Sequence, residues 1–269
     1  MPVFIQYLRL RPLGLKSKAH VYSAYFKGFF IKVINPKKFT NIGQFLSKDS
    51  VVRYDGMLLY ARARTEDIGL YAHSAKPYTF NWFKPSSGEI VVDCGSSVGL
   101  FTMIALKAGS VVYAFEANPL TFATLAKNID INGFAKKAHL FNLGLSNEPG
   151  VMTLYAPRYF TASTSFEKKW AEGIGDKDYL TEFKVNMTTL DHTLAKVVKI
   201  DWLLIDVESL EYRLLVGAND TLKKTRKIIV EISHNNRDKV KGILDDQGFV
   251  EREAGSAEKS AQYYLYERV

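Results

Sequence analysis

The sequence contains one cysteine, Cys94, among 269 residues. A single cysteine excludes an internal disulfide framework and any metal site built from clustered thiolates. It is typical of a reducing compartment, so we expect a cytoplasmic protein. No apolar run reaches the roughly 20 residues that a membrane-spanning helix needs, and no small-residue cleavage site follows an apolar stretch at the N-terminus. We therefore expect neither a membrane span nor a secretion signal.

Acidic residues are absent from the first 48 positions, since the first acid is Asp49. Nine basic residues give this stretch a formal charge of +9. They are Arg9, Arg11, Lys16, Lys18, Lys27, Lys32, Lys37, Lys38 and Lys48. The whole chain has 36 basic and 28 acidic residues, so residues 49–269 keep 27 bases against 28 acids. The positive charge therefore belongs to the N-terminal extension.

Residues 19–34 of that extension place aromatic and aliphatic side chains at helical spacings, with Lys27 and Lys32 at the edge. We predict an amphipathic helix that ends before Pro36. Three partners remain open: its own domain or a second subunit, an anionic membrane surface, or a polyanion such as nucleic acid. We divide the chain into a helical extension, 1–50, and a catalytic domain, 51–269.

Internal repeats and low-complexity tracts are also absent, and 47% of the residues are hydrophobic. From Gly88 onward, short apolar runs alternate with helical patterns, which predicts a parallel sheet covered by helices. The expected strands are 89–93, 111–116, 138–142, 202–207 and 227–232, with a terminal hairpin of 249–252 and 262–267. The expected helices are 99–107, 120–132, 210–222 and 238–247. We predict an α/β fold with a mostly parallel seven-stranded sheet, a C-terminal antiparallel hairpin and helices on both faces.

A glycine-rich turn follows the first of these strands, with Asp93, Gly95 and Gly99 in a D-x-G-x-x-x-G pattern. Glycines there let the backbone approach a ligand closely. A dinucleotide-binding turn normally has three glycines and holds a pyrophosphate. An aspartate at this strand end repels a pyrophosphate and suits an ammonium group, such as that of a methionine moiety.

Glu116 ends the next strand, 23 residues after Asp93, near the offset expected of an acid that binds ribose hydroxyls. A solvated acid at a strand end is the alternative. The third strand leads to Asn142, where an adenine edge would lie. An asparagine at a strand end is as often a cap as a ligand contact. The candidate cofactor residues are Asp93, Gly95, Ser97, Gly99, Glu116, Ala117, Asn118, Asn142 and Leu143.

Three segments occur in an order that resembles the FkbM family of methyltransferases: VVDCGSSVGLFT, YAFEANPLTFATLAKNIDING and IDWLLIDVESLEYRLLVGA. The resemblance runs from about Tyr54 to Ser233 and does not cover residues 1–50. It implies a Rossmann-like class I methyltransferase fold and S-adenosylmethionine as the methyl donor. It also implies methylation of a hydroxyl on a sugar, a glycolipid or a specialised metabolite.

Three positions depart from the family pattern. Ser209 replaces the glycine of DVEG-x-E, Leu204 replaces a common lysine, and Ser97 replaces a frequent asparagine. We expect the cofactor site to survive these changes because its glycines and acids remain. We expect the serine in place of glycine to alter the backbone path beside the methyl group.

Methyl transfer needs an aligned acceptor oxygen and a base that removes its proton. Asp206 and Glu208 follow the fourth strand, and strand alternation predicts that they share one side. Glu208 could instead cap the next helix. His234, after the fifth strand, is an alternative base or a surface residue. A magnesium site of Asp206, Glu231 and Asn235 is a weaker alternative, and we assign no metal ligand.

Residues 156–183 form a connection that is long for an ordinary loop, and we interpret them as a substrate lid. Thr164 and Ser165 are candidate acceptor contacts within it by position alone.

Our leading hypothesis is an O-methyltransferase that acts on a small molecule, glycan or glycolipid head group. Its basic extension would hold it near a membrane or a partner. An RNA (tRNA) methyltransferase is the second hypothesis, because the extension is basic and AFEANP resembles archaeal tRNA methyltransferases. A noncatalytic cofactor-binding scaffold is the third. The sequence leaves the oligomeric state open.

Overall fold

The computed structural model describes residues 10–35, 42–73, 81–157, 164–174, 180–255 and 261–269. Within these ranges a seven-stranded sheet is accompanied by two three-stranded sheets. No helix in the described part combines the length and apolar character that a bilayer crossing requires.

The N-terminal elements form the first small sheet and the helix beside it. They are β1 (Arg11–Pro12), α1 (Gly14–Ile34), β2 (Ser50–Tyr54), β3 (Met57–Ala61) and α2 (Asp67–His73). The strands pair antiparallel in the order β1-β2-β3, a sheet that the sequence did not predict. Val21 and Ala24 of α1 are fully buried in one hydrophobic cluster with Val91 and Met103 of the following region. The extension and the domain therefore share a core, and the division at residue 50 stays a prediction.

Three parallel strands alternate with helices in the next region. They are β4 (Ile90–Cys94), α3 (Leu100–Ala108), β5 (Val111–Phe115), α4 (Pro119–Ile131) and β6 (Ala138–Phe141). Strand β4 has nearly every residue buried, as expected of a strand covered on both faces. Val91 belongs to one core cluster and Val92 to the other, so successive residues of β4 face opposite helical layers.

Two asparagines of the α4 region join the first small sheet to the domain. The Asn128 side-chain oxygen accepts a hydrogen bond from the Tyr60 N–H at 2.7 Å. The Asn132 side chain accepts one from the Leu58 N–H and donates one to the Leu58 carbonyl. Asn128 also donates to the Val98 carbonyl in the glycine-rich turn. The two side-chain amides thus bond to the backbone of β3 as a neighbouring strand would, and Asn128 also connects β3 to the glycine-rich turn.

An insertion after β6 forms the second small sheet. Its elements are β7 (Gly144–Leu145), β8 (Gly150–Pro157), α5 (Lys168–Ile174), β9 (Leu180–Thr188) and the short α6 (Leu190–Thr193). Strands β8 and β9 pair antiparallel along their full length, so the strands extend into both ends of the predicted lid. Residues 158–163 and 175–179 of that segment lie outside the described residues.

The remaining elements complete the large sheet. They are β10 (Ile200–Ile205), α7 (Glu211–Val216), α8 (Asn219–Lys223), β11 (Thr225–Ser233), α9 (Arg237–Asp246), β12 (Phe249–Ala254) and β13 (Ala261–Arg268). The strand order is β12-β13-β11-β10-β4-β5-β6. The five strands from β11 to β6 are parallel, and β12 and β13 form an antiparallel hairpin at one edge. The predicted fold class is confirmed.

The single helix predicted for residues 210–222 is wrong, because the structure has α7 and α8 in its place. The Asp191 carboxylate accepts hydrogen bonds from the N–H groups of Asp220 and Thr221 at 3.0 and 2.6 Å. It thereby caps a new helix start. Gly217 lies at the break, where a Cβ would be 2.4 Å from the Ser146 carbonyl oxygen.

Candidate active site

The glycine-rich turn follows β4 and bends through three residues with positive φ. These are Gly95 at 83°, Ser97 at 51° and Gly99 at 94°. A Cβ at Gly95 would lie 1.8 Å from the carbonyl oxygen of Asp206, and one at Gly99 would lie 2.5 Å from a methyl group of Leu125. Packing against the Asp206 backbone therefore requires Gly95, and the left-handed backbone favours glycine at position 99. Their contact with a ligand stays a prediction.

Ser97 keeps the left-handed conformation in which asparagine is the more tolerated residue. Its N–H donates a hydrogen bond to the Glu116 carboxylate at 2.8 Å. Its hydroxyl is buried and has no hydrogen-bond partner among the described residues. A buried hydroxyl without a partner is costly, so this atom suits a polar ligand group.

Glu116 lies just beyond the end of β5 and is 7% exposed. Its second carboxylate oxygen accepts a hydrogen bond from the Asn118 N–H at 2.8 Å. Burial raises the pKa of Glu116 to about 7, although the hydrogen bonds from Asn118 and Ser97 oppose the shift. The site therefore holds a carboxyl group that changes charge near neutral pH.

Asp93 is 3% exposed, and its carboxylate accepts a hydrogen bond from the Thr102 hydroxyl. Burial raises the pKa of Asp93 to about 6. Leu204 pairs with Asp93 on the neighbouring strand and is itself buried. A lysine at that position would bring a cation toward this carboxyl, whereas leucine adds only apolar surroundings.

The other candidate cofactor residues have structural partners of their own. Asn118 is fully buried, and its side-chain oxygen caps α4 by accepting from the Leu120 N–H at 3.0 Å. The Asn142 amide donates to the carbonyls of Glu116 and Ala117, which joins the ends of β5 and β6. Leu143 is half-buried. These contacts account for both asparagines without a ligand, and the cofactor roles of the four residues stay predictions.

The residues predicted for the acceptor side lie in the turn after β10. That strand ends at Ile205, and Glu208 and Ser209 have φ of 46° and 75°. The strand alternation expected for Asp206 and Glu208 is therefore wrong, because the strand ends before both residues and Glu208 has left-handed backbone. The turn also explains the family's glycine, which tolerates positive φ better than the serine found here.

Tyr263 on β13 is a site residue that the sequence analysis missed. Its hydroxyl donates a hydrogen bond to the Asp206 carboxylate at 2.5 Å. Burial and the negative charges of Asp206, Glu231 and Glu208 raise the pKa of Tyr263 well above its usual value. The Asp206 carboxylate thus contacts a buried hydroxyl, and the charges of Glu231 and Glu208 also act on it. A tyrosine in a terminal hairpin offers no spacing signal, because only the pairing of β13 with β11 brings it here.

Glu211 is a second site residue that was not predicted from the sequence, although it is the last residue of the segment DVESLE at 206–211. It is 2% exposed and accepts hydrogen bonds from the Ser209 N–H at 2.8 Å and the Asn236 amide at 3.0 Å. The Ser233 hydroxyl donates to it at 3.2 Å. Burial raises the pKa of Glu211. This carboxylate joins the strained turn after β10 to the end of β11.

The remaining candidates differ in their exposure. His234 and Asn235 are exposed in a 3-10 turn after β11. Ser165 is 1% exposed, and its hydroxyl accepts a hydrogen bond from the Glu167 N–H. Thr164 is half-buried. Among the described residues, no group of three or more His, Cys, Asp or Glu side chains is arranged to hold a metal ion.

Comparison with known sequences identifies relatives over most of the chain. A model of the methyltransferase FkbM domain matches residues 93–256. Methyltransferase sdnD of Sordaria araneosa is 22% identical over 228 residues, which cover 74% of this chain and 88% of the relative. The 31-O-demethyl-FK506 methyltransferase FkbM of Streptomyces tacrolimicus is 27% identical over 172 residues, covering 54% of this chain and 65% of the relative.

Among solved structures, the chain is similar to magnesium protoporphyrin IX methyltransferase of Synechocystis PCC 6803 with bound S-adenosylmethionine. The sequence identity is 13% and the TM-score 0.42, over 68% of this chain and 71% of that one. A likeness of this size bears on neither acceptor nor mechanism.

Proposed function

This chain belongs to the FkbM methyltransferase family and is an S-adenosylmethionine-dependent methyltransferase, and we propose that it methylates a hydroxyl group of a sugar, glycolipid or specialised metabolite. The observation that carries the proposal is the Asp206 carboxylate just beyond the end of β10, which accepts a hydrogen bond from the buried Tyr263 hydroxyl. One relative supports it, since the name 31-O-demethyl-FK506 methyltransferase specifies an oxygen position.

The residues of the glycine-rich turn fit the donor. S-adenosylmethionine carries the transferable methyl group on a positively charged sulfur. In the proposal, Glu116 binds the ribose hydroxyls, and the partnerless Ser97 hydroxyl bonds a polar group beside them. Asp93 contributes negative charge for the ammonium group. The raised pKa values of Glu116 and Asp93 support this assignment, because a cationic ligand stabilises buried carboxylates.

Asp206 is the proposed base. The acceptor oxygen forms a bond to the methyl carbon as the carbon–sulfur bond breaks, and the acceptor proton passes to the Asp206 carboxylate. Tyr263 holds that carboxylate in one orientation through its 2.5 Å hydrogen bond. Glu208 and His234 stay alternative bases, and Glu208 has the better support because its charge reaches Tyr263.

Residues 156–183 are the proposed substrate lid, and the described ends of this segment belong to strands β8 and β9 of the second small sheet. Leu154 of that sheet packs in one hydrophobic cluster with Leu210, and Phe166, Ala117 and Val207 lie against that cluster. The sheet therefore contacts both the loop after β5 and the turn that carries Asp206. Such contacts suit a segment that covers a bound acceptor.

Carboxylates at the acceptor side favour a neutral acceptor over RNA, because phosphate groups would meet negative charge there. The basic extension favours RNA and keeps it as the second candidate. Both candidates share the cofactor and differ only in the molecule that becomes methylated.

The test is to incubate the protein with methyl-labelled S-adenosylmethionine and separated cell fractions. Label in a glycan, lipid or small-molecule fraction is expected. The variant Asp206→Asn should remove the label and keep cofactor binding, whereas Asp130→Asn, at an exposed position of α4, should leave both intact. Label in RNA alone, or full turnover in Asp206→Asn, would contradict the proposal.

A further inference from the structure

The outward face of α1 is an apolar stripe on the surface of the protein. We define the stripe as seven residues that are between 44% and 86% exposed: Leu15, Tyr22, Phe26, Phe29, Phe30, Val33 and Ile34. Exposed apolar residues usually occur singly, and a contiguous set marks an interaction surface.

The opposite face of α1 holds the helix in place. Val21, Ala24, Tyr25 and Gly28 are buried against the protein. The stripe is therefore presented outward along a helix of 21 residues whose orientation is fixed by its own core contacts.

Lysines border the stripe on both sides. At about 100° per residue, Lys16 and Lys27 lie along one edge, and Lys18 and Lys32 lie along the other. An apolar stripe between two rows of basic residues is the arrangement of helices that lie in the plane of a membrane surface.

We propose that the apolar stripe of α1 docks on an anionic lipid surface. Residues 1–48 carry nine basic and no acidic residues, which complements a layer of negative head groups. The aromatic side chains Tyr22, Phe26, Phe29 and Phe30 suit the boundary between head groups and acyl chains. The charge and the apolar stripe thus face the same partner.

Two other partners fit the stripe less well. A second copy of the chain would bring the same basic segment against this one, and like charges oppose that contact. RNA would satisfy the lysines, but Leu15, Val33 and Ile34 are aliphatic and offer bases no stacking surface. The inference does not depend on which acceptor the enzyme methylates.

The experiment is sedimentation of the full chain with vesicles of phosphatidylcholine alone or of phosphatidylcholine with phosphatidylserine. Binding is expected only to the anionic vesicles and should weaken as salt rises. The double variant Phe26→Ser/Phe30→Ser removes two contacting rings, whose centroids are 4.6 Å apart, and should weaken binding at least about 10-fold. The triple variant Lys16→Gln/Lys18→Gln/Lys27→Gln should weaken it on the order of 100-fold.

The matched control is Val198→Ser, an apolar position that is 87% exposed but lies outside α1. It should bind vesicles as the natural chain does. No binding to anionic vesicles would overturn the proposal, as would equal binding to neutral ones or unchanged binding by the phenylalanine variant. A concentration-dependent dimer that Phe26→Ser/Phe30→Ser abolishes would assign the stripe to a second copy instead. Binding that RNA competes away, with no loss in the phenylalanine variant, would assign it to nucleic acid.

Discussion

The affinity for S-adenosylmethionine should rise about 10-fold between roughly pH 6 and pH 8. Burial raises the pKa of Glu116 to about 7, so the carboxyl is mostly protonated at the lower pH and mostly ionised at the higher one. Its two oxygens already accept N–H bonds from Ser97 and Asn118, and only the ionised form accepts ribose hydroxyls without donating a proton. If that form alone binds, the fraction ionised changes by about 10-fold over this range.

The same group makes the ligand-free protein less stable as pH rises. Because the pKa of Glu116 rises from its ordinary value of 4.5 to about 7, this group binds a proton more tightly in the folded chain than in the unfolded one over that pH range. The free energy of unfolding therefore falls as pH rises through this window, by up to about 3 kcal/mol. Bound cofactor should offset part of this loss, so the thermal shift on binding should be larger at the higher pH.

Isothermal titration calorimetry and thermal melts at several pH values measure both effects. Glu116→Gln should remove the dependence near pH 7 and weaken binding, and any slope left near pH 6 belongs to Asp93. Asp130→Asn is the matched control, because it neutralises an exposed acid on α4. A natural chain whose affinity is flat across this range, or a Glu116→Gln variant with the natural affinity and slope, would refute the reasoning.

Three further substitutions test the packing and the acceptor side. Gly95→Ala should destabilise the protein by more than about 2 kcal/mol in denaturant melts, because the new Cβ would meet the Asp206 carbonyl. The control Gly150→Ala places its Cβ in open space and should change stability little. A Gly95→Ala variant as stable as Gly150→Ala would contradict this. Tyr263→Phe should lower kcat about 10-fold without changing cofactor affinity, since Asp206 loses the group that orients it, and an unchanged kcat argues against that role. Glu211→Ala should cost about 1–3 kcal/mol because it removes the acceptor of three hydrogen bonds, and equal melting curves would count against it.

Some features of the site could be predicted because they are local in the sequence. Asp93, Gly95 and Gly99 lie within seven consecutive positions, and their order after an apolar run predicts a strand followed by a tight turn. Glu116 follows one helix and one strand later, at the spacing that a parallel βα unit imposes. The reason that the sequence suggested for the two glycines was incomplete. Packing against the Asp206 backbone requires Gly95, and left-handed backbone favours Gly99, whether or not a ligand approaches.

Other features depend on contacts between distant parts of the chain. The predicted helix over 210–222 failed because Asp191, from an earlier segment, caps a new start at Asp220. Hydrophobic periodicity within a segment does not reveal that a residue from another part of the chain caps a helix there. The sheet β1-β2-β3 was missed for a similar reason, since β1 has two residues and carries no pattern of its own.

The sequence by itself determined the α/β class, the family and the two acids, Asp93 and Glu116, that flank the glycine-rich turn and are buried in the structure. It could do so because strand periodicity, glycine turns and motif order are properties of short continuous segments. Only the tertiary structure decided that Tyr263 meets Asp206, that Glu211 joins the turn at Ser209 to the end of β11, and which face of α1 points outward. Those results depend on strand order and on which helix face finds a partner, and both arise from packing between segments far apart in the chain.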